Sequence, residues 1–212
     1  MNYSKIVSYD ICNGPGWRVS LFVSGCSRNC PGCFNPQTHD PCFGQKFTEE
    51  SKKLIFNELD KDIITGLSLL GGDPMYPSNR KEIIDLCKEI KEKYPNKTIW
   101  MWTGYLFSEL LNESTCKDIF KYVDVIIDGP FKQELKDPDL KWMGSSNQVL
   151  WKINKINDNE EYMAISENKS TVDAMIIKYI GDPARFVELN FDVQKEHHIT
   201  SVWKTDENGK IK

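Results

Sequence analysis

The chain has 212 residues, with 27 basic against 31 acidic side chains and a net charge of −4 at pH 7. That length suits one domain, or one domain with an appendage, and is enough to bury most of its apolar surface. Charges of both signs are interspersed, so nothing in the composition suggests a nucleic-acid groove or an anionic membrane surface as a partner.

Taken in order, Met1 to Lys5 carry no apolar signal core, and no later run approaches a membrane span. A cytoplasmic location is expected, where seven cysteines read as reduced thiols and ligands rather than disulfides. Ile6 to Ile11 makes a first strand, broken by Asn13-Gly14-Pro15-Gly16. Arg18 to Val23 is apolar and β-branched enough for a second strand, which delivers its carboxyl end to a cysteine loop.

In that loop Cys26, Cys30 and Cys33 fall within eight positions, spaced by three residues and then two. Pro31-Gly32 has the signature of a type II turn, because Pro presets φ and Gly accepts the positive φ that follows. The turn curls three thiolates toward one small object. A structural zinc site or an ordinary four-iron site wants four donors. Recruiting His39 would complete a zinc set. A four-iron cluster held at three corners would instead leave one iron open to an exogenous ligand. Cys42, in the loop Asp40 to Gly44, reads as an inert, partly buried thiol.

Thr48 caps a helix with Glu49 and Glu50 in its first turn, and Leu54, Ile55 and Leu59 form its core stripe. Ile64 to Leu70 is a strand ending in Gly71-Gly72-Asp73-Pro74. Two glycines there permit close approach of a ligand to the backbone, and the carboxylate can accept from an ammonium. Asn79 with Glu82 makes a capping-box-like start to a helix whose buried stripe is Ile83, Leu86, Cys87 and Ile90. Lys97 to Trp102 is a strand running into Trp102-Thr103-Gly104-Tyr105. Leu106 to Val123 reads as helical, interrupted near Asn112-Glu113-Ser114, with Cys116 in the core. Asp124 to Ile127 is a strand, and Asp128 after it can either hold a ribose hydroxyl or cap the turn. This alternation predicts an α/β parallel sheet, too few units for a closed eight-stranded barrel and therefore a partial β/α barrel, open on one side.

The Cys-x3-Cys-x2-Cys spacing resembles the cluster motif of radical S-adenosylmethionine enzymes. Many members place an aromatic just before the third cysteine. Here Gly32 stands there and Phe34 follows, a departure shared by the small activases of anaerobic class III ribonucleotide reductase, which carry Cys-Pro-Gly-Cys, an aromatic and Asn. Gly14, Pro15, Gly16 and Arg18 match the activases' Gly-Pro-Gly-x-Arg. Gly71 to Pro74, Trp102 to Tyr105, and the segment Lys136 to Gln148 with Ser145, Ser146 and Asn147 also match. The resemblance covers residues 1–151. It implies a [4Fe–4S] cluster on Cys26, Cys30 and Cys33, with S-adenosylmethionine on the fourth iron. Gly71, Gly72 and Asp73 would lie at the amino end of the cosubstrate, with Trp102, Thr103, Gly104 and Asp128 near it. The implied activity is that of an oxidoreductase like the formate C-acetyltransferase-activating enzymes. A glycyl radical would be placed on the large subunit of anaerobic ribonucleotide reductase, with electrons from a flavodoxin-like donor.

Residues 152–212 are expected to form a β-rich extension. Asn154 to Asn159 reads as a linker, followed by short apolar groups at Tyr162 to Ile165, Ala174 to Ile180 and Phe186 to Phe191. Ile199, Val202 and Trp203 alternate loosely, Asn208-Gly209 is a turn string, and His197-His198 reads as a solvated turn. Two other readings stay open. One is an activase of a different glycyl radical enzyme, against which the Trp-Thr-Gly-Tyr and Gly-Ser-Ser-Asn strings speak. The other is a non-enzymatic iron–sulfur carrier or zinc module.

Overall fold

A computed structural model describes residues 1–157, 161–166, 172–178 and 185–191. Its centre is four parallel strands, β2 (Trp17–Val23), β4 (Ile64–Gly71), β5 (Thr98–Trp102) and β6 (Val125–Asp128), paired in that order. Antiparallel β1 (Asn2–Asp10) flanks β2, and the two-residue β3 (Gln45–Lys46) pairs with β1. On the other side β7 (Val149–Asn157), β8 (Glu161–Ser166), β9 (Val172–Lys178) and β10 (Arg185–Phe191) continue the sheet antiparallel. Among the described residues the result is α/β with a mixed sheet of ten strands that does not close. Parallel pairing puts the carboxyl ends of β2, β4, β5 and β6 along one edge, which is where sites collect in such sheets.

The strand and helix positions follow from apolar periodicity. β2 is buried along both faces after Trp17, as a central parallel strand requires. On one face Val19, Leu21, Leu67, Leu69, Ile99, Met101 and Ile126 meet the helices α1 (Glu49–Leu59), α2 (Arg80–Lys93) and α3 (Phe107–Asn112). The stripe Ile83, Leu86, Cys87 and Ile90 of α2 is buried there, and so is Cys116. Phe107 stacks on Trp151 at 4.6 Å between ring centres and meets Phe120 edge-on at 5.2 Å. Such aromatic pairs are worth about 1 kcal/mol beyond their buried area. Thr48 caps α1 as expected, exchanging bonds with Ser51. The helical stretch after Leu106 breaks where expected, into α3 and a 3-10 turn at Lys117–Lys121.

Four local expectations are corrected, the first at Leu54, which is exposed while Ile55 and Leu59 alone of the expected α1 stripe are buried. Asn79 makes no side-chain cap; its amide donates instead to Ser24 O at 2.9 Å and Asp73 O at 3.0 Å, while Glu82 pairs with the amino terminus of Met1. Cys42 is exposed rather than partly buried, beside Asn2, which donates to its carbonyl. Asn154 to Asn157 is strand rather than linker, because Ile153 alternates with exposed neighbours and pairs with Ala164 of β8. β8 also places Tyr162 and Ala164 in the same core as the helices. His197-His198, Ile199, Val202, Trp203 and Asn208-Gly209 lie outside the described residues.

The Gly-Pro-Gly-x-Arg segment sits at the amino ends of the strands. Arg18 is fully buried and donates to Ser68 Oγ at 2.7 Å, Leu67 O at 2.7 Å, and Thr98 Oγ1 and O at 2.9 Å. Burial pushes its guanidinium down to about 10. Gly14 takes φ +109°, and a Cβ there would strike the Arg18 side chain at 2.8 Å. The motif is therefore a clasp that satisfies strand-end carbonyls, at the sheet edge opposite the cysteine loop.

Candidate functional site

The cysteine loop leaves β2 after Val23 and closes on itself. Gly25 N donates to Thr38 O at 2.8 Å and Cys26 N to His39 O at 3.2 Å. At the tip Gly32 has φ +70° and Cys33 N donates to Cys30 O at 3.1 Å, the expected tight turn. The loop is bonded to its neighbour after β4: Gly72 N donates to Val23 O at 2.7 Å and Asp73 N to Gly25 O at 2.8 Å. A Cβ on Gly72 would lie 2.7 Å from both Gly25 O and Thr38 O, so that contact requires glycine. Asn79, through its two carbonyl bonds, ties the same two loops from below.

Backbone amides lie around the cysteine sulfurs. Asn35 N donates to Cys33 Sγ at 3.4 Å, and the amides of Arg28, and of Phe131 and Cys30 itself, lower the thiol pKa of Cys26 and Cys30 respectively. Burial pushes the Cys26 thiol up to about 11, its Arg28 amide lowers it, and Asp73, Cys30 and Cys33 nearby raise it further. Cys30 is also raised, again chiefly by burial. Among the described residues no three His, Cys, Asp or Glu side chains gather as closely as a single ion demands. A four-iron cluster is a larger body, and its sulfurs stand further apart. Three half-buried thiols, close enough to feel one another, with the Asn35 amide on one of them, fit such a cluster; N–H donors at sulfur are how proteins stabilise and tune it. His39 lies at the base of the loop with its Nε2 buried and, among the described residues, without a hydrogen-bond partner.

Asp73 is buried beneath the loop and accepts three bonds, from Met75 N at 2.9 Å, Thr103 Oγ1 at 2.8 Å and Gly104 N at 2.9 Å. Burial nonetheless pushes its carboxyl up to about 6. Gly71, Gly72, Asp73, Thr103 and Gly104 are therefore brought together. Trp102 stands beside them, its indole donating to Trp142 O at 2.7 Å. Asp128 sits deeper. Its oxygens accept from Phe107 N at 2.6 Å and Val149 N at 3.2 Å, which fixes the start of α3 and of β7.

Residues that the sequence did not single out complete the site. Arg28 crosses from the cysteine loop, its guanidinium 4.3 Å from the Tyr105 ring centre and bonded to Glu109 at 2.5 Å. It covers Gly104, where a Cβ would lie 2.6 Å from Arg28 Cγ. Its position between two cysteines was the available signal. Phe131 and Gln133 come from the segment after β6, and Gln133 lies against Gly32. Nothing local marks either of them.

Comparison with known proteins agrees with this geometry. Residues 12–151 match the family model of a 4Fe-4S single cluster domain. A protein of Enterobacteria phage T4 named anaerobic ribonucleoside-triphosphate reductase-activating protein is 47% identical over 151 residues, covering 71% of this chain and 94% of the phage protein. Proteins of the same name from Escherichia coli K12 and Vibrio cholerae are 45% and 43% identical over 152 residues, 71% of this chain and 97% of each relative. The chain belongs to the family of anaerobic ribonucleoside-triphosphate reductase-activating proteins. The family assignment brings an iron–sulfur cofactor with it, and the cysteine loop lies within the matched residues. Since these relatives are matched nearly end to end, the family likeness accounts for about seven-tenths of this chain. Among the described residues no helix is long and apolar enough to cross a membrane.

Proposed function

We propose that the chain is an activase that holds a [4Fe–4S] cluster on Cys26, Cys30 and Cys33 and binds S-adenosylmethionine at the iron these sulfurs leave open. Its target is the large subunit of anaerobic ribonucleotide reductase, and its electron donor is flavodoxin-like. It works in the cytoplasm. The chemistry is that of formate C-acetyltransferase-activating enzymes, turned on a different glycine. One observation carries the reading: three half-buried cysteines on a single loop bonded directly to Gly72 and Asp73, at the carboxyl edge of parallel strands.

When bound, cluster and cosubstrate supply one-electron cleavage of a carbon–sulfur bond, giving methionine and a 5′-deoxyadenosyl radical that takes a hydrogen atom from a glycine of the reductase. The protein's share is placement. A carboxylate offers about four lone-pair directions, and Asp73 uses three on Met75, Thr103 and Gly104. The fourth is left for the cosubstrate's ammonium. Gly71 and Gly72 let that end approach the backbone, Thr103 orients Asp73, and Gly104 keeps space beside it. Trp102 walls the pocket, and Arg28 shields it from water. Asp128 supports the pocket from beneath, through the two amides it holds, rather than touching the ribose. Residues 1–151 carry this activity and 152–212 extend it.

The test is anaerobic reconstitution with S-adenosylmethionine, a reductant and the reductase subunit. A glycyl radical in the electron paramagnetic resonance spectrum, with release of 5′-deoxyadenosine, is expected. Cys30→Ala should abolish both, and retained cleavage in that variant would refute the ligand assignment. Cleavage without a radical on this subunit would move the activity to another glycyl radical enzyme.

A further inference from the structure

Three loops meet at the site, and their contacts run in a ring. The cysteine loop is bonded to the loop after β4, through Gly72 N to Val23 O at 2.7 Å and Asp73 N to Gly25 O at 2.8 Å. Asp73 in turn accepts from Thr103 Oγ1 at 2.8 Å and Gly104 N at 2.9 Å, in the turn between β5 and α3. Tyr105 N donates to the same Thr103 oxygen at 3.1 Å, so the hydroxyl that orients Asp73 is itself fixed by the turn. Arg28 joins that turn back to the cysteine loop and closes the ring.

Arg28 stands between Cys26 and Cys30 and grips the turn in three ways. Its stem lies on Gly104, its guanidinium is 4.3 Å from the Tyr105 ring centre, and its Nη2 donates to Glu109 Oε2 at 2.5 Å. That carboxylate oxygen also accepts from Leu106 N at 2.7 Å, at the start of α3. Arg80 approaches the Tyr105 ring as well, at 5.6 Å, and is anchored to Met75 O at 2.8 Å. An exposed ion pair by itself is worth little. The Arg28 side chain, however, is only 25% exposed and engages a ring, a carboxylate and a glycine of one turn together. The core beneath the turn, at Phe107, Leu110 and Leu111, is packed without it. Loss of Arg28 should therefore loosen the turn and leave α3 folded.

We propose that Arg28 is a positioning residue for the cosubstrate: by gripping Tyr105 and Glu109 it holds the 103–106 turn against the cysteine loop and keeps Thr103 and Gly104 on Asp73. The proposal rests on the reading of Asp73 as the ammonium acceptor given above. With the turn released, Asp73 loses two of its three donors and is free to rotate away from the cosubstrate's amino end. The three cysteines are untouched, so the effect falls on cosubstrate binding rather than on the reaction that follows.

The experiment uses the full chain as wild type, Arg28→Ala, Arg28→Lys and Glu109→Gln. In the apo-protein, amide hydrogen exchange read by mass spectrometry follows peptides from the 103–106 turn, with peptides from β4 and α2 as reference. Arg28→Ala should speed exchange in the turn about tenfold and leave the reference peptides at wild-type rates. In reconstituted protein, followed by release of 5′-deoxyadenosine, the same variant should raise the KM for S-adenosylmethionine about tenfold, with kcat within about twofold and iron content unchanged. Arg28→Lys keeps a charge for Glu109 but not the planar face on Tyr105, and should recover part of both losses. Glu109→Gln, which keeps an acceptor for Leu106 N, should shift both quantities in the same direction by less. Unmoved exchange in Arg28→Ala would overturn the proposal, and so would faster exchange with an unmoved KM. A fall in kcat or iron at the wild-type KM would also overturn it, since Arg28 would then serve the cluster itself. If Arg28→Ala does not fold, Arg28→Lys and Glu109→Gln decide by the same criteria. A wild type that holds no cluster would sink the three-cysteine reading instead, and the exchange rates of the apo-protein would then judge the grip alone.

Discussion

Cys26, on the proposed cluster reading, would resist the loading of its metal. With burial pushing its thiol up to about 11, the sulfur is protonated at neutral pH, and loading the cluster must expel that proton. Iron and sulfide uptake by the apo-protein should therefore quicken as pH rises from 7 to 9, followed at the cluster's visible absorbance; a flat profile would contradict the burial. Asp73 makes a related prediction with a worked sign. Its folded value of about 6 lies above the ordinary 3.8, so the folded state binds the proton more tightly and stability declines as pH rises from 4 to 6. Two pK units correspond to about 3 kcal/mol. In apo-protein unfolded by urea, Asp73→Asn should remove a fall of about that size across this window, and parallel curves for variant and wild type would refute it. The nearness of the cysteine loop to Gly72 and Asp73 was legible from the cysteine spacing together with the family resemblance of Gly-Gly-Asp-Pro, a string that by itself reads as a turn. Arg28 was not, because an arginine in a polar loop reads as solvated until Tyr105 and Glu109 are seen to meet it.

At the scale of elements, the site is made by loops that bond to one another rather than to their own strands. Asn79 is the clearest case. Sequence spacing favours a cap for α2, but Ser24 O and Asp73 O are buried acceptors with a stronger claim on its amide. An unsatisfied buried carbonyl costs about 1 to 3 kcal/mol. Asn79→Ala should lose roughly 2 kcal/mol of apo stability in urea and weaken cosubstrate binding; a change below about 0.5 kcal/mol would mean the two loops do not depend on this tie. The helices were legible from 3.6-residue apolar stripes, as the burial of Ile83, Leu86, Cys87 and Ile90 illustrates. The antiparallel flanks were not, since nothing within Asn2–Asp10 or Val149–Asn157 states a partner's direction. The Gly-Pro-Gly-x-Arg clasp also reads alike whether it serves a ligand or a buried arginine.

For the whole molecule, the division near residue 151 marks where the family likeness ends, while β7 runs through it and β8 joins the shared core. Ending the chain after Trp151 would strip Ile153, Tyr162 and Ala164 from that core. A buried side chain the size of Ile153 is worth about 1.5 to 3 kcal/mol, and the methyl of Ala164 about 0.8 kcal/mol. The shortened apo-protein should be less stable by roughly 3 kcal/mol or more in urea, and an unchanged midpoint would show that the extension adds nothing to the core.

The activase reading stands or falls on the iron corner that three cysteines leave free. Electron–nuclear double resonance on the reduced cluster, with S-adenosylmethionine carrying nitrogen-15 in its amino group, reads that corner directly. A hyperfine coupling from the labelled nitrogen is expected, undiminished in His39→Ala. No coupling to the label, together with a protein nitrogen signal that vanishes in His39→Ala, would show the corner closed by the polypeptide and contradict the activase reading.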